Sequence, residues 1–235
     1  MTQKTNTSFV VGILALQGAF VEHQTALQKL PIQKKIDVIL VRTAEELAKC
    51  EALVIPGGES TTIALLARLS GLLEPLREFV KIKPVWGTCA GAILLAKAVV
   101  GAKKGGQELL GGMSITIARN GWGSQVESFE TDLDVVGLRD PERPFTGIFI
   151  RAPVVLTLEP SPGDLPIDVV ASLSPSLLPD SLTSSNSTNE PKTFVALRQG
   201  HHFLTTFHPE LTRDNRFHEY FIRECVLPSI SPPRS

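Results

Sequence analysis

Cys89 stands between two glycines in Gly87-Thr88-Cys89-Ala90-Gly91, and the chain changes character across it. Pro84 to Thr88 reads as a strand, and from Ala90 the sequence turns alanine- and leucine-rich, as a buried helix does. The cysteine therefore falls on a strand-to-helix turn of G-x-C-x-G form, a nucleophile elbow, whose small neighbours let the backbone bend sharply. Three effects then converge on one sulfur. A helix start favours a thiolate, the N–H of Ala90 is placed to stabilise an oxyanion, and the turn exposes the thiol to substrate. The competing reading is a buried core thiol, the commonest fate of a free cysteine.

Such a thiol needs a base. Histidine has the pKa for taking its proton and passing it to a leaving amine, and the chain has five histidines. His208 is singled out by His208-Pro209-Glu210. A residue before proline is pushed into extended geometry, in which residues two apart project to the same side, so His208 and Glu210 are expected to point together. Glu210 then holds one tautomer and stabilises the imidazolium, as the acid of a triad does. His23, His201, His202 and His218 rank lower; His201 and His202 lie in a Gln-Gly-His-His turn with no carboxylate two residues on. The N–H of Ala90 and a glycine N–H from Gly57-Gly58, assigned to Gly58, form the expected oxyanion hole. The array predicts acyl transfer from an amide or ester through a thioester. A satisfied surface histidine is the bland alternative for His208.

The elements that position these groups are read in order. Phe9 to Leu16 is a continuous apolar run, as in a strand buried on both faces. Helical spacing over Phe20 to Leu30, a strand at Ile36 to Val41, a short helix at Ala44 to Lys49 and a strand at Ala52 to Ile55 follow. Pro56-Gly57-Gly58 leads through Glu59-Ser60-Thr61-Thr62 into a helix from Ile63 to Leu69, and Leu72 to Lys81 is a further helix. That loop is either a plain turn or a cradle of backbone N–H groups for an anion or carbonyl. The pattern predicts an α/β fold: a single three-layer domain over residues 1–235 with a mostly parallel central sheet flanked by helices. Gln17, the Gly57 loop and Cys89 all follow strand ends, which places them on one edge of that sheet. Strands are expected at Met113 to Ala118, with a hairpin-like return at Gln125 to Glu130, and at Phe145 to Ile150, Val154 to Leu158, Val169 to Ser172, Phe194 to Gln199 and His202 to Phe207. The last helix is expected from about Arg213 to Cys225. Residues 1–8 and 228–235 read as flexible ends, and 174–192, rich in Ser, Pro, Asn and Thr, as a mobile surface loop.

The chain has 235 residues, 43% of them hydrophobic, and a net charge of −1 with no block of like charges. Nothing in it advertises nucleic acid or an anionic membrane. Three cysteines in no metal-like or disulfide-like spacing suit a reducing compartment, and no apolar run approaches a membrane span. A cytoplasmic protein is expected. The loop at 101–112 lacks the Gly-Lys-Ser/Thr ending of a phosphate-binding loop, so no nucleotide site is read there.

The elbow and His208-Pro209-Glu210 together resemble class I (triad) glutamine amidotransferases. More narrowly, Leu16-Gln17-Gly18-Ala19-Phe20-Val21-Glu22-His23, Pro56-Gly57-Gly58-Glu59-Ser60-Thr61, Arg119-Asn120, Ser128-Phe129-Glu130, Phe149-Ile150-Arg151-Ala152-Pro153 and His208-Pro209-Glu210-Leu211-Thr212 resemble the glutaminase subunits of pyridoxal 5′-phosphate synthase, the PdxT/Sno family. The resemblance implies a class I amidotransferase-like fold and hydrolysis of L-glutamine to glutamate and ammonia. Cys89 is then the nucleophile and His208 and Glu210 its relay. Gly58, Glu59, Ser60, Arg119, Ile150 and Arg151 bind glutamine, and Gln17 helps couple the site to a PdxS/Snz-type synthase subunit in a large hetero-oligomer. The partner consumes the ammonia to build the cofactor, so this chain is expected to hold no cofactor and no metal. Two positions depart from the family's usual R-N-x-[FY]-G-R-Q segment: Trp122 replaces Phe or Tyr, and Ser124 stands where a second arginine is common. Another triad amidotransferase, a γ-glutamyl hydrolase and a non-catalytic binding subunit of the same fold remain the alternatives.

Overall fold

Runs too uniformly apolar for a half-exposed sheet become the central strands. The computed structural model describes residues 8–32, 34–101, 106–119, 121, 128–178 and 191–231. Its first half alternates β1 (Phe9–Leu14), α1 (Phe20–Gln28), β2 (Ile36–Val41), α2 (Ala44–Leu47), β3 (Ala52–Ile55), α3 (Ser60–Leu69), α4 (Leu73–Ile82), β4 (Val85–Thr88) and α5 (Ala90–Leu95). The second half adds β5 (Ala96–Val100), β6 (Met113–Ala118), β7 (Ser128–Val135), β8 (Phe145–Ile150), β9 (Val154–Leu158), β10 (Ile167–Ser172), β11 (Phe194–Gln199), β12 (His202–Thr205), α6 (Arg216–Tyr220) and α7 (Leu227–Ile230).

Nine strands form one sheet in the order β2-β1-β3-β4-β12-β11-β10-β7-β8, and β5-β6-β9 form a second. Every neighbour from β2 to β12 is parallel, and every pairing beyond β12 is antiparallel. Alternate residues of the parallel strands enter different cores, as a period of two requires. Val11, Ile13, Val54, Trp86 and Phe203 face Leu27 of α1 and Phe217 of α6. Leu14, Leu53, Ile55, Val85 and Leu204 face Ile63 of α3 and Phe79 of α4. The parallel half is thus covered on both faces, the three-layer α/β arrangement expected.

One expectation is completed and two are corrected. First, the buried helix expected from Ala90 is present and runs for six residues; Ala96 is extended (φ −67°, ψ 153°) and opens β5, which pairs with β6. Val99 and Val100 fit a pleated strand better than a helix, and β6 supplies the partner. Second, Ser128–Val135 does not return along β6: it pairs with β8 and β10, while β6 pairs with β5 and β9. Local turn signals at 119–123 carry no information about these distant partners. Third, the last helix begins at Arg216, because Asp214 accepts the Arg216 backbone N–H (3.1 Å) and side chain (3.0 Å) and so stops the helix from starting earlier. It widens to a π-helix over Phe221–Val226 and continues as α7, so the supposed tail is helical to Ile230. Short 3-10 turns at Pro175–Leu177 and Pro191–Thr193 flank residues 179–190. Residues 1–7, 125–127, 179–190 and 232–235, with Asn120, Trp122 and Ser124, lie outside the described residues.

Strands β1, β3, β4 and β12 run parallel and adjacent, so their carboxyl ends share one edge of the sheet. The segments that follow them are the Gln17 loop, the Gly57 loop, Cys89 and His208.

Candidate active site

Cys89 follows β4 with φ 47° and ψ −101°, a conformation non-glycine residues seldom adopt. Hydrogen bonds on both sides hold it there: its N–H donates to the Thr205 carbonyl (2.9 Å), and its carbonyl accepts from the Ile93 N–H (3.2 Å). The flanking glycines serve a different purpose from the one expected. Neither has positive φ; a Cβ on Gly87 would collide with the Gly91 carbonyl, and one on Gly91 with the Ile55 carbonyl. The strain belongs to Cys89, and the glycines provide clearance for α5 to lie against β3 and β4. Cys89 is only 7% exposed, so the thiol meets the pocket rather than open solvent.

His208 reaches the same point from β12. Its backbone N–H donates to the Ile148 carbonyl of β8 (2.8 Å), and its ring lies over Gly57. A Cβ on Gly57 would stand 2.5 Å from His208 Cε1 and 3.4 Å from Cys89 Cβ, so the missing side chain is what lets ring and thiol approach. Glu210 Oε1 lies 2.8 Å from His208 Nδ1, which leaves Nε2 for Cys89. The two side chains do meet as expected, but not as neighbours on a strand. His208 has ψ 80°, and Pro209–Leu211 is a 3-10 turn that folds Glu210 back under the ring. Burial pulls the His208 pKa down, but hydrogen bonds and charge from Cys89 and Glu210 outweigh it and raise the value to about 10.

The opposite side of the pocket is charged. Glu59 caps α3, accepting from the Thr61 hydroxyl (2.9 Å), and pairs with Arg119 Nη2 at 2.6 Å. Gln107 Oε1 accepts from Ser60 Oγ (3.3 Å) and Arg119 Nη1 (3.2 Å). Behind this wall, Gln17 Oε1 accepts the Glu59 N–H (2.8 Å), and the Ala19 N–H donates to the Gly57 carbonyl (3.1 Å). Gly58 has φ 156°, and a Cβ on it would sit 2.5 Å from Gln17 Oε1, so a side chain there would displace the Gln17 amide from the Glu59 N–H.

A hollow of about 220 Å³ is lined by Gly58, Glu59, Ser60, Cys89, Ala90, Arg119, Ile150, Arg151 and His208, all foreseen, together with Ile93, which was not. Its volume is on the scale of a small polar metabolite. Wider hollows of about 480 and 550 Å³ lie beside Arg68 and beside Arg223, without a comparable set of convergent groups. Gln107 also escaped the sequence reading, since the glycine-rich segment containing it offers no motif. Arg151 contributes through an unusual backbone, with φ 45°.

The remaining cysteines and histidines differ. Burial pushes the Cys50 and Cys225 thiols up to about 12. His202 is held down to about 3, by burial and then by His201 alongside it. His23 and His218 lie fully buried behind Glu210. His23 shares the buried face of α1 with Ala26 and Leu27, a helical spacing visible in the sequence. Among the described residues, no cluster of three or more His, Cys, Asp or Glu could hold a metal, and no helix is long and apolar enough to cross a membrane.

Comparison with known proteins bears on this pocket. A family model described as the SNO glutamine amidotransferase family matches residues 13–227. The chain is 47% identical over 224 residues to the "Probable pyridoxal 5'-phosphate synthase subunit PDX2" of Arabidopsis thaliana, covering 91% of this chain and 84% of the relative. It is 45% identical over 213 residues to the "Pyridoxal 5'-phosphate synthase subunit PdxT" of Herpetosiphon aurantiacus, covering 90% and 98%. A solved structure described as "Crystal structure of glutamine amidotransferase" matches with a TM-score of 0.72 at 42% identity, over 92% of this chain and 98% of that one.

Proposed function

The chain belongs to the SNO glutamine amidotransferase family, and from that premise we propose that Cys89, His208 and Glu210 hydrolyse L-glutamine and that the ammonia passes to a pyridoxal 5′-phosphate synthase subunit. The observation that carries the reading is the convergence, over Gly57, of Cys89 with the His208–Glu210 pair inside a hollow of amino-acid size.

The Cys89 sulfur, as thiolate, attacks the side-chain amide carbon of glutamine, and the new C–S bond pushes an electron pair onto the carbonyl oxygen. The N–H groups of Ala90 and Gly58 receive that oxyanion; Ala90 opens α5, where N–H groups lack intrahelical partners. His208, protonated up to about pH 10, already holds the proton the leaving nitrogen needs. Collapse breaks the C–N bond and yields ammonia and a glutamyl thioester. Neutral His208 then takes a proton from water, hydroxide adds to the thioester, and glutamate leaves with the thiol regenerated.

Substrate recognition falls to the charged wall. A zwitterionic amino acid offers an ammonium to Glu59 and a carboxylate to Arg119, the two groups that otherwise pair with each other. Ser60, Ile150 and Arg151 complete the pocket. Gln17, bonded to the Glu59 backbone, couples this loop to the synthase subunit. The names of the relatives support that partner, and the three free thiols support a reducing, cytoplasmic setting. No nucleic acid or membrane partner and no resident cofactor enter the reading.

The test is glutamate release from glutamine by the purified chain, with and without its synthase subunit, using Cys89→Ala as the blank. Activity that rises with the partner and falls by at least ~10⁴-fold in Cys89→Ala is expected. Full activity without the partner would sink the coupling, and activity surviving in Cys89→Ala would sink the mechanism.

A further inference from the structure

Glu210 uses only one of its oxygens on His208. Oε2 is buried and has no hydrogen-bond partner within ordinary distance among the described residues. His23 Nε2 stands 3.5 Å from it, and both side chains are completely buried. The same nitrogen lies 3.2 Å from Thr88 Oγ1, next to Cys89. On its other side, His23 Nδ1 lies 2.9 Å from Nε2 of His218, whose Nδ1 is buried and has no partner among the described residues. The array therefore runs in one line from α6 through α1 to the carboxylate that holds His208.

The line has a direction. Burial keeps both imidazoles neutral, pressing His218 down to about 3 and His23 well below its usual value. Two neutral rings share one proton across the 2.9 Å contact. If His23 donated it, His218 would carry its proton on Nδ1, a buried donor with no acceptor among the described residues, and the His23 Nε2 lone pair would face the carboxylate and be served by the Thr88 hydroxyl alone. If His218 Nε2 donates it, the His23 proton sits on Nε2 and points at Glu210 Oε2 and the Thr88 hydroxyl. Only the second arrangement leaves no donor orphaned.

We infer that His23 is a positioning residue: its Nε2–H holds the second oxygen of Glu210, with its tautomer fixed by His218, and so keeps His208 oriented and charged beside Cys89. The inference rests on the triad reading above. Contacts of this kind are often long in ligand-free proteins and shorten as the site reacts. In metal sites, removal of the partner that orients a ligand costs about 10–100-fold in affinity or activity, and a donor that orients a catalytic carboxylate plays the corresponding part here. The ionisable groups that bear on the array are Glu210 and His208 from the 3-10 turn, His218 from α6 and Cys89 beyond β4.

The test is the pH profile of Cys89 alkylation by iodoacetate in the full chain, read by peptide mass spectrometry. This anionic reagent senses the charge on His208 directly, while Cys50 and Cys225, at about 12, stay unreactive through the useful range. In His23→Leu the upper inflection, where His208 loses its proton, moves down by about one pH unit. In His23→Gln, whose amide N–H can reach Glu210, it returns towards the wild-type position. Glutaminase kcat falls by about tenfold in His23→Leu with KM within about twofold. An unchanged alkylation profile in His23→Leu, or a His23→Gln profile identical to that of His23→Leu, overturns the inference. Should His23→Leu fail to fold, His218→Phe decides: a downward move of the same inflection supports the fixed tautomer, and no move refutes it. If wild-type protein released no glutamate, the functional reading would fall, while the alkylation profile would still judge His23.

Discussion

On one side of the pocket, Cys89, His208 and Glu210 hang from backbone fixed by Thr205, Ile93 and Ile148, with Glu210 wholly buried and the thiol barely exposed. On the other, Arg119, Ser60 and Gln107 share side-chain hydrogen bonds, Arg119 pairs with Glu59, and Glu59, which also caps α3 through Thr61, is nearly half exposed. On the function proposed above, the first wall is preorganised for the reaction, and the second exchanges internal bonds for bonds to the substrate. The contrast teaches where each kind of binding energy resides. Backbone-anchored groups stabilise charge as it develops in the reaction, whereas paired surface charges select the ligand at modest net gain, because each new bond replaces an old one.

The sharpest way to break this division is Glu210→Gln. The shape survives, but an amide cannot support the imidazolium, so kcat is expected to drop by roughly 10³-fold with KM nearly constant. A change confined to KM in steady-state kinetics would show that the buried wall also binds substrate. Arg119→Ala makes the converse cut. It removes a charge-assisted contact worth about 2 kcal/mol, so KM for glutamine should rise by roughly 30-fold while kcat stays within a few-fold. A matching fall in kcat would mean that Arg119 acts on the transition state. Gln107→Ala is the finest test. It removes the brace shared by Ser60 and Arg119, and KM should rise only about threefold, because Arg119 keeps its bond to Glu59. A larger loss than in Arg119→Ala would make Gln107 the principal anchor of that wall.

The two walls were also unequally legible. Cys89 and His208-Pro209-Glu210 are contiguous signals whose chemistry is local, and both were placed correctly on elements whose strand ends had been read from apolar runs. Even so, the reasons differed in detail: Gly87 and Gly91 are required for clearance, and Glu210 comes back through a 3-10 turn. Glu59, Arg119 and Arg151 came only through family resemblance, since three segments so far apart share no periodicity. Gln107 carried no signal at all. His23 was visible as a histidine on an apolar helical face, yet its neighbours, Glu210 and His218, are nearly two hundred residues away.

The sequence by itself determined the alternation of strands and helices, the shared edge to which the parallel strands deliver their loops, and which residues are the candidates for thiol, base and acid. These follow from apolar periodicity, glycine clearance and residue chemistry, which act over a few positions. Tertiary structure alone decided that Ser128–Val135 pairs with β8 and β10 instead of turning back on β6, that the alanine-rich stretch after Cys89 ends early to become a strand, and that Glu59 meets Arg119. It also brought His23 and His218 behind Glu210. Such choices depend on which distant surfaces remain unpaired once the local elements have formed, and no short window of residues carries that information.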